Sequence, residues 1–287
     1  MVIDTRRIEA GNGNPEGNHS TNLGRADLGR RETPFNGKTK VYTIKTFHSG
    51  RDRFMEMSEF APLIDQATDL YLKVYPTRDT DMSVERMKHS LSHPRTILML
   101  AEHKGVPVGF GIFPRLLIGG EPVPYSSRAF LPEHEGQGLG PHTLGTAIEL
   151  HQEEVARSHR IIHYGFLMTQ NAFSIDTLRK IPSIGEIFPF DMRYNIDRVA
   201  QYLLLGVHNQ VYLASQGINT ITGVSEGELS EIGMNEAYKP DRNHRAWKIH
   251  QEMVSSLLTG GLGMNRERGD VVYVGFRIKR PEDIVGY

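Results

Sequence analysis

The stretch FLPEHEGQGLG, from Phe130 to Gly140, constrains this chain more than any other. Gly136, Gly138 and Gly140 alternate within it, after a strand-like run and before a helical one. The run ahead, EPVPYSSRAFLP (121–132), reads as a strand. The run behind, PHTLGTAIELHQEEVA (141–156), puts Leu144, Ala147, Ile148 and Val155 on one face of a helix. A strand that passes through Gly-x-Gly into a helix leaves the first helical N–H groups unpaired and pointing outward. Glycines let an anion approach those groups with no Cβ in the way, and the helix dipole adds partial positive charge at the same point. A phosphate or diphosphate suits such a corner. Plain connectivity is the competing reading. The Rossmann spacing G-x-G-x-x-G is not met, and no Lys follows Gly140 as the Walker spacing requires.

The rest of the chain supplies the frame. Residues 1–38 are rich in Gly, Asn, Arg and Glu and poor in large apolar side chains, which predicts a flexible arm, either without function or docking on a partner subunit. TKVYTIKTF (39–47) predicts a first strand. APLIDQATDLYLKVYP (61–76) gathers Leu63, Ile64, Ala67, Leu70, Tyr71 and Val74 into one apolar stripe, with Pro62 at the helix start and Pro76 at its stop. SVERMKHSLS (83–92) predicts a shorter helix capped by Ser83. TILMLAEH and VPVGFGIFPRLLI, joined at Lys104-Gly105, read as a strand, a tight turn and a strand. With 121–132 they form an antiparallel meander. IIHYGFLMT (161–169) reads as a strand and NAFSIDTLRKI (171–181) as a helix. A meander followed by a strand–helix–strand crossover implies an α/β fold with a mixed sheet and helices on both faces. Further on, 195–209 and 243–261 predict helices, 210–214 a short strand, and DVVYVGFRIKR (270–280) a strand with clear alternation.

These elements carry a resemblance. FLPEHEGQGLG is similar to motif A of the GNAT superfamily, the acyl-CoA N-acyltransferases: a strand ending V-x-P, two residues, then R/Q-G-x-G-[IL]-[GA] and a helix. AEHKGVPVGFGIF (101–113) resembles the family's second and third strands, and FLMTQNAFSIDTLRKI (166–181) its motif B, where an Asn opens a helix. The resemblance spans roughly 40–185 and the final strand. It implies a GNAT-like core over 39–185 and a C-terminal extension over 186–287, made of a helical addition and a last core strand. It implies acetyl-CoA or another acyl-CoA as the acyl donor and a primary amine of unknown class as acceptor. Backbone groups around Phe130, Leu131, Gly136, Gln137, Gly138, Leu139, Gly140 and Pro141 would hold the cofactor. Its pantetheine arm would lie in a splay between the strands at 125–131 and 161–168, and Asn171 would touch it. Two positions depart from the pattern. Glu135 stands where the family has Arg or Gln, and Leu178 stands seven residues after the Asn, where many members have a Tyr that protonates the leaving thiolate. Tyr194 would have to reach back to replace it. The alternative function is a non-catalytic binding or structural protein on the same scaffold.

Moving an acyl group from a thioester to an amine needs a neutral amine, a polarised carbonyl and a proton for the thiolate. Glu133 and His134, at the mouth of the turn, and His163, on the central strand, are the candidate bases. The competing readings are an exposed acid, a ring packed against the loop and a hydrogen-bonded core histidine. His151 lies on the apolar helix face and reads as structural. The extension either shapes the acceptor pocket or a dimer interface, with Trp247 and glycines 260, 261 and 263 as a lid hinge, or adds packing helices. A homodimer stays open.

Bulk composition narrows the alternatives. Thirty-three basic against 34 acidic residues leave no global field for nucleic acid or anionic lipid. The chain holds no cysteine, which removes disulfides, thiolate metal sites and cysteine nucleophiles, and its 13 histidines show no metal-ligand spacing. No run approaches the roughly 18 apolar residues of a membrane helix. The expected compartment is the cytoplasm.

Overall fold

Lys104 and Gly105 both take positive φ, 53° and 78°, the combination a two-residue primed hairpin turn demands. That turn joins two antiparallel strands in the computed structural model, which describes residues 30–49, 54, 58–75, 80–191, 198–211, 217–229, 239–255 and 261–284. The strands are β1 (Arg31–Asn36), β2 (Val41–His48), β3 (Ile97–His103), β4 (Val106–Phe113), β5 (Arg115–Ile118), β6 (Glu121–Phe130), β7 (Tyr164–Thr169), β8 (Ile184–Phe188), β9 (Val224–Ser225) and β10 (Val271–Ile278). They form one sheet in the order β1-β2-β3-β4-β6-β7-β10-β8, with β5 on β6 and β9 on β10. All neighbours pair antiparallel except β6 and β7, which are parallel. The crossover between those two is helix α3 (Leu139–Ala156). The fold is mixed α/β, an antiparallel meander followed by a parallel crossover, as the sequence implies.

Helices cover both faces. α1 (Ala61–Val74) buries Ile64, Ala67, Leu70, Tyr71 and Val74 against β4 and β6, the stripe read from the sequence. α2 (Thr80–Leu91) joins it on that face. α3, α4 (Ala172–Leu178) and α6 (Trp247–Val254) share the core of the opposite face. α5 (Arg198–Val211) packs on β5 and β10 around Phe166 and Tyr273.

Several sequence expectations are corrected here. Residues 31–36, placed in the flexible arm, form the edge strand β1, because β2 offers a free ladder for Arg31 through Asn36 to pair with. The rest of that arm, 1–29, lies outside the described residues. VPVGFGIFPRLLI is two strands, since Pro114 has no N–H to continue the ladder. α2 starts at Thr80, three residues ahead of Ser83. α5 runs through 210–211, where a strand was expected, and 212–214 lie outside the described residues. α6 begins only at Trp247, four residues into the expected 243–261, and 256–260 lie outside the described residues. β8 (Ile184–Phe188) runs across position 185, where the core was expected to end, and pairs with β10, the last core strand expected within the extension.

Candidate functional site

The glycine corner is held from outside and open from within. A single 3-10 turn, Pro132–His134, closes with His134 N–H on Leu131 O (2.9 Å) and Glu135 N–H on Pro132 O (3.1 Å). Gly136 and Gly138 then take φ of +70° and +90°, a region L side chains avoid, and α3 begins at Leu139. Among the described residues, none of the amides of residues 136–140 donates a hydrogen bond; the first helical amide to find an acceptor is His142, on Gly138 O (3.1 Å). The outer side of the loop is braced. Gln137 Oε1 accepts from Thr39 N and Oγ1 (3.0 and 3.2 Å), Lys40 Nζ donates to Glu133 O (2.6 Å), and the Phe35 ring stacks on His142 at 4.3 Å. The amide row is thus fixed before any ligand arrives.

Beside that row the sheet opens. β6 and β7 pair only at Tyr125↔Phe166 and Ser126↔Leu167. Beyond those pairs β6 continues to Phe130 on β4 alone, and β7 continues to Thr169 on β10 alone. A cavity of about 740 Å³ follows the resulting slot. Gly136, Gly138, Gly140 and Pro141 line one part of it, Met168 to Asn171 another, and Tyr71, Tyr75 and Tyr125 a third. Burial and the nearby Glu228 carboxylate push the Tyr125 hydroxyl up, so it stays protonated.

The residues expected from sequence divide on this geometry. Phe130, His134, Gly136, Gly138, Leu139, Gly140, Pro141 and Asn171 line the cavity; Leu131 and Gln137 do not. Leu131 donates its N–H to Val108 O, and Gln137 faces Thr39. Asn171 also caps α4, its Oδ1 accepting from Phe173 N (2.8 Å), so half of its amide is already used. Glu133 is exposed and outside the cavity. His134 is buried, with Nδ1 3.1 Å from the Tyr42 hydroxyl, and burial beside Lys40 lowers its pKa. His163 is not on the strand: β7 starts one residue later, where Tyr164 meets Arg277, and the His163 side chain is exposed away from the cavity. His151 is the core histidine expected, Nε2 to Phe113 O at 2.9 Å, its pKa pushed down to about 3 by burial. Leu178 is fully buried in the core, and Tyr194 lies outside the described residues.

Other side chains complete the cavity wall. Arg128 lines it, with Nη1 donating to Gly140 O at 2.6 Å, and desolvation brings its pKa down to about 10. Its signal was in the sequence: Arg128 is two residues before Phe130, so in a strand both face α3. Glu135 lines the wall too, and desolvation raises its pKa. From the extension come His244, edge-on to Phe173 at 4.7 Å, and Arg245, whose Nε and Nη2 reach Asp176 Oδ2 at 2.9 and 2.8 Å. Lys180 meets the same oxygen at 3.1 Å. No local pattern brings residues 244–245 to α4; only the tertiary fold does.

No protein-family model matches the chain, and no curated protein is similar to it. Solved structures are. The GNAT domain of S. lividans PAT is 15% identical, with 56% of this chain and 92% of that one covered at a TM-score of 0.36. Mycobacterium smegmatis RimJ, in complex with CoA-disulfide, is 13% identical, with 57% and 78% covered at 0.35. An acetyltransferase of the GNAT family from Streptococcus pneumoniae is 14% identical, with 50% and 87% covered at 0.33. The chain is similar to solved GNAT-family acetyltransferases. Among the described residues no helix is long and apolar enough to cross a membrane.

Proposed function

We propose that this chain is an N-acyltransferase that moves an acetyl or other acyl group directly from coenzyme A to a primary amine. One observation carries the reading: a row of unsatisfied amides, residues 136–140, stands at the mouth of a slot between two parallel strands. The amides suit a diphosphate. The slot suits a narrow arm carrying polar groups, because strand edges on both sides offer main-chain donors and acceptors. Acyl-CoA has a diphosphate and such an arm joined in one molecule, and it would supply an activated thioester.

The chain's own part is binding and placement. Fixed amides and a braced loop hold the donor without reorganisation, which favours reaction through orientation. Main-chain N–H groups along the open edge of β6 are available to polarise a carbonyl. A thiol pKa near 8.5 lets the leaving sulfur take its proton from water or from the ammonium product, so a core Leu178 does not forbid turnover. His134 stands two residues ahead of the amide row with its ring held by the Tyr42 hydroxyl, a place that suits a role in shaping the loop rather than in taking a proton from the amine.

Calorimetry with acetyl-CoA tests the first half of the proposal; absence of binding at millimolar concentration removes it. Thiol release across a panel of primary amines tests the second. Leu178 gives a specific ground for the non-catalytic reading, and tight binding with no thiol release from any amine would select that reading.

A further inference from the structure

Arg128 is half-buried in the cavity wall, and a guanidinium drawn partly out of water is costly unless an anion compensates it. Arg128 has no such compensation among the described residues. Its Nη1 donates to Gly140 O, and no carboxylate forms an ion pair with it. The acids lining the cavity are otherwise placed: Asp176 is held by Arg245 and Lys180, and Glu135, exposed on the loop, forms no ion pair among the described residues. The arginine is also aimed. It leaves β6 on the α3 side, reaches the first turn of α3, and brings Nη1 to 3.6 Å from where a Cβ on Gly140 would stand. An unpaired cation and a row of unpaired amides therefore converge at one corner of the cavity.

We infer that Arg128 is the cationic partner of the ligand's diphosphate, replacing from the strand the positive charge that Glu135 does not bring from the loop. A planar guanidinium keeps donors free after one hydrogen bond to a carbonyl, and its fork matches phosphate oxygens. A lysine would keep its charge there but lack the planar fork that serves the Gly140 carbonyl and an anion together. The strand also delivers the charge beneath the loop, where water screens it less than at the loop's exposed rim. The identity of the diphosphate as that of acyl-CoA rests on the function proposed above; the anion site itself does not.

Isothermal titration of the full chain with acetyl-CoA, with S-acetylpantetheine, which lacks the diphosphate, and with inorganic pyrophosphate separates the two. In Arg128→Met, acetyl-CoA and pyrophosphate bind at least tenfold more weakly, while S-acetylpantetheine changes less than twofold. Arg128→Lys falls between the variant and the parent. Circular dichroism checks the fold, and Arg128→Gln, which retains a donor for Gly140 O without the charge, takes the place of the Met variant should that one not fold. A folded, uncharged variant that binds both diphosphates as tightly as the parent overturns the inference. So does a parent that binds neither. A parent that binds pyrophosphate through Arg128 but does not bind acetyl-CoA leaves the arginine's assignment standing and removes the acyl-CoA reading.

Discussion

Single residues at the corner differ in what they tolerate. Gly138 has φ of +90° and forms the entry to α3. A Cβ there is strained by roughly 1–2 kcal/mol and stands 3.4 Å from the Phe35 ring. We expect Gly138→Ala to lower the melting temperature by about 2–8 °C and to weaken acetyl-CoA binding, because the strain is relieved by turning the amides away. Unchanged melting and affinity would mean that the amide row is not the binding element. Leu178 gives the opposite kind of test. It is fully buried among Ile175, Ala172 and Ile181, so the position where the sequence resemblance implies a tyrosine does not line the slot. Leu178→Tyr should destabilise by about 1–3 kcal/mol through overpacking and an unpartnered hydroxyl, with no gain in thiol release. A gain would show that the helix turns this side chain toward the cavity. The departure at 178 was legible as a missing hydroxyl. That it marks a core position was not, because helix rotation about its own axis is set by packing rather than by spacing from Asn171.

At the scale of elements, β1 is the instructive case. RETPFN has too little apolar alternation to read as a strand, and Pro34 weakens the signal further; it is tolerated because β1 lies at the sheet edge. Pairing with β2 creates the strand, and the strand then serves the site, since Phe35 stacks on His142 in the first turn of α3 and Lys38 lines the cavity. Phe35→Ala removes a partly buried ring, at a cost of about 1–2 kcal/mol, less than for a fully buried one. We expect acetyl-CoA to bind several-fold more weakly, with the melting temperature only a few degrees lower. Equal affinity would reduce β1 to a covering strand. The elements that were legible, α1, the β3–β4 hairpin, α3 and β10, each carry their own period or turn chemistry. β8 and β9 do not: five and two residues long, they exist because β10 offers them a ladder. For the same reason the splay of β6 from β7 could be expected only through the resemblance, not from the residues.

The whole molecule is set to lose stability in mild acid. His151 is folded away as a neutral ring with a pKa near 3, against an ordinary value of 6.5. Burial also lowers His48, His134 and His142. A group whose folded pKa lies below its unfolded one binds its proton preferentially in the unfolded chain. Its contribution is therefore complete above pH 6.5 and is lost as pH falls. His151 alone removes about 1.4 kcal/mol per pH unit below 6.5, roughly 2 kcal/mol by pH 5. The three other histidines steepen the fall. Glu135, raised by desolvation, works against them, but only close above its ordinary 4.5. The carboxylate of Asp270, which desolvation would raise but Arg268 and two backbone amides together lower, loses its share only around its ordinary 3.8 and below. The histidines thus govern the window from pH 6.5 to 5. Urea unfolding at half-unit intervals across that window should show stability dropping by at least 2 kcal/mol. His151→Gln, which retains a donor for Phe113 O, is expected to be less stable at pH 7.5 because packing is disturbed, yet its loss from pH 6.5 to 5 should be shallower by close to one proton. The slope, rather than the absolute stability, is the readout that separates titration from packing. An unchanged slope in the variant would place the acid sensitivity elsewhere and leave the buried ring a packing group alone.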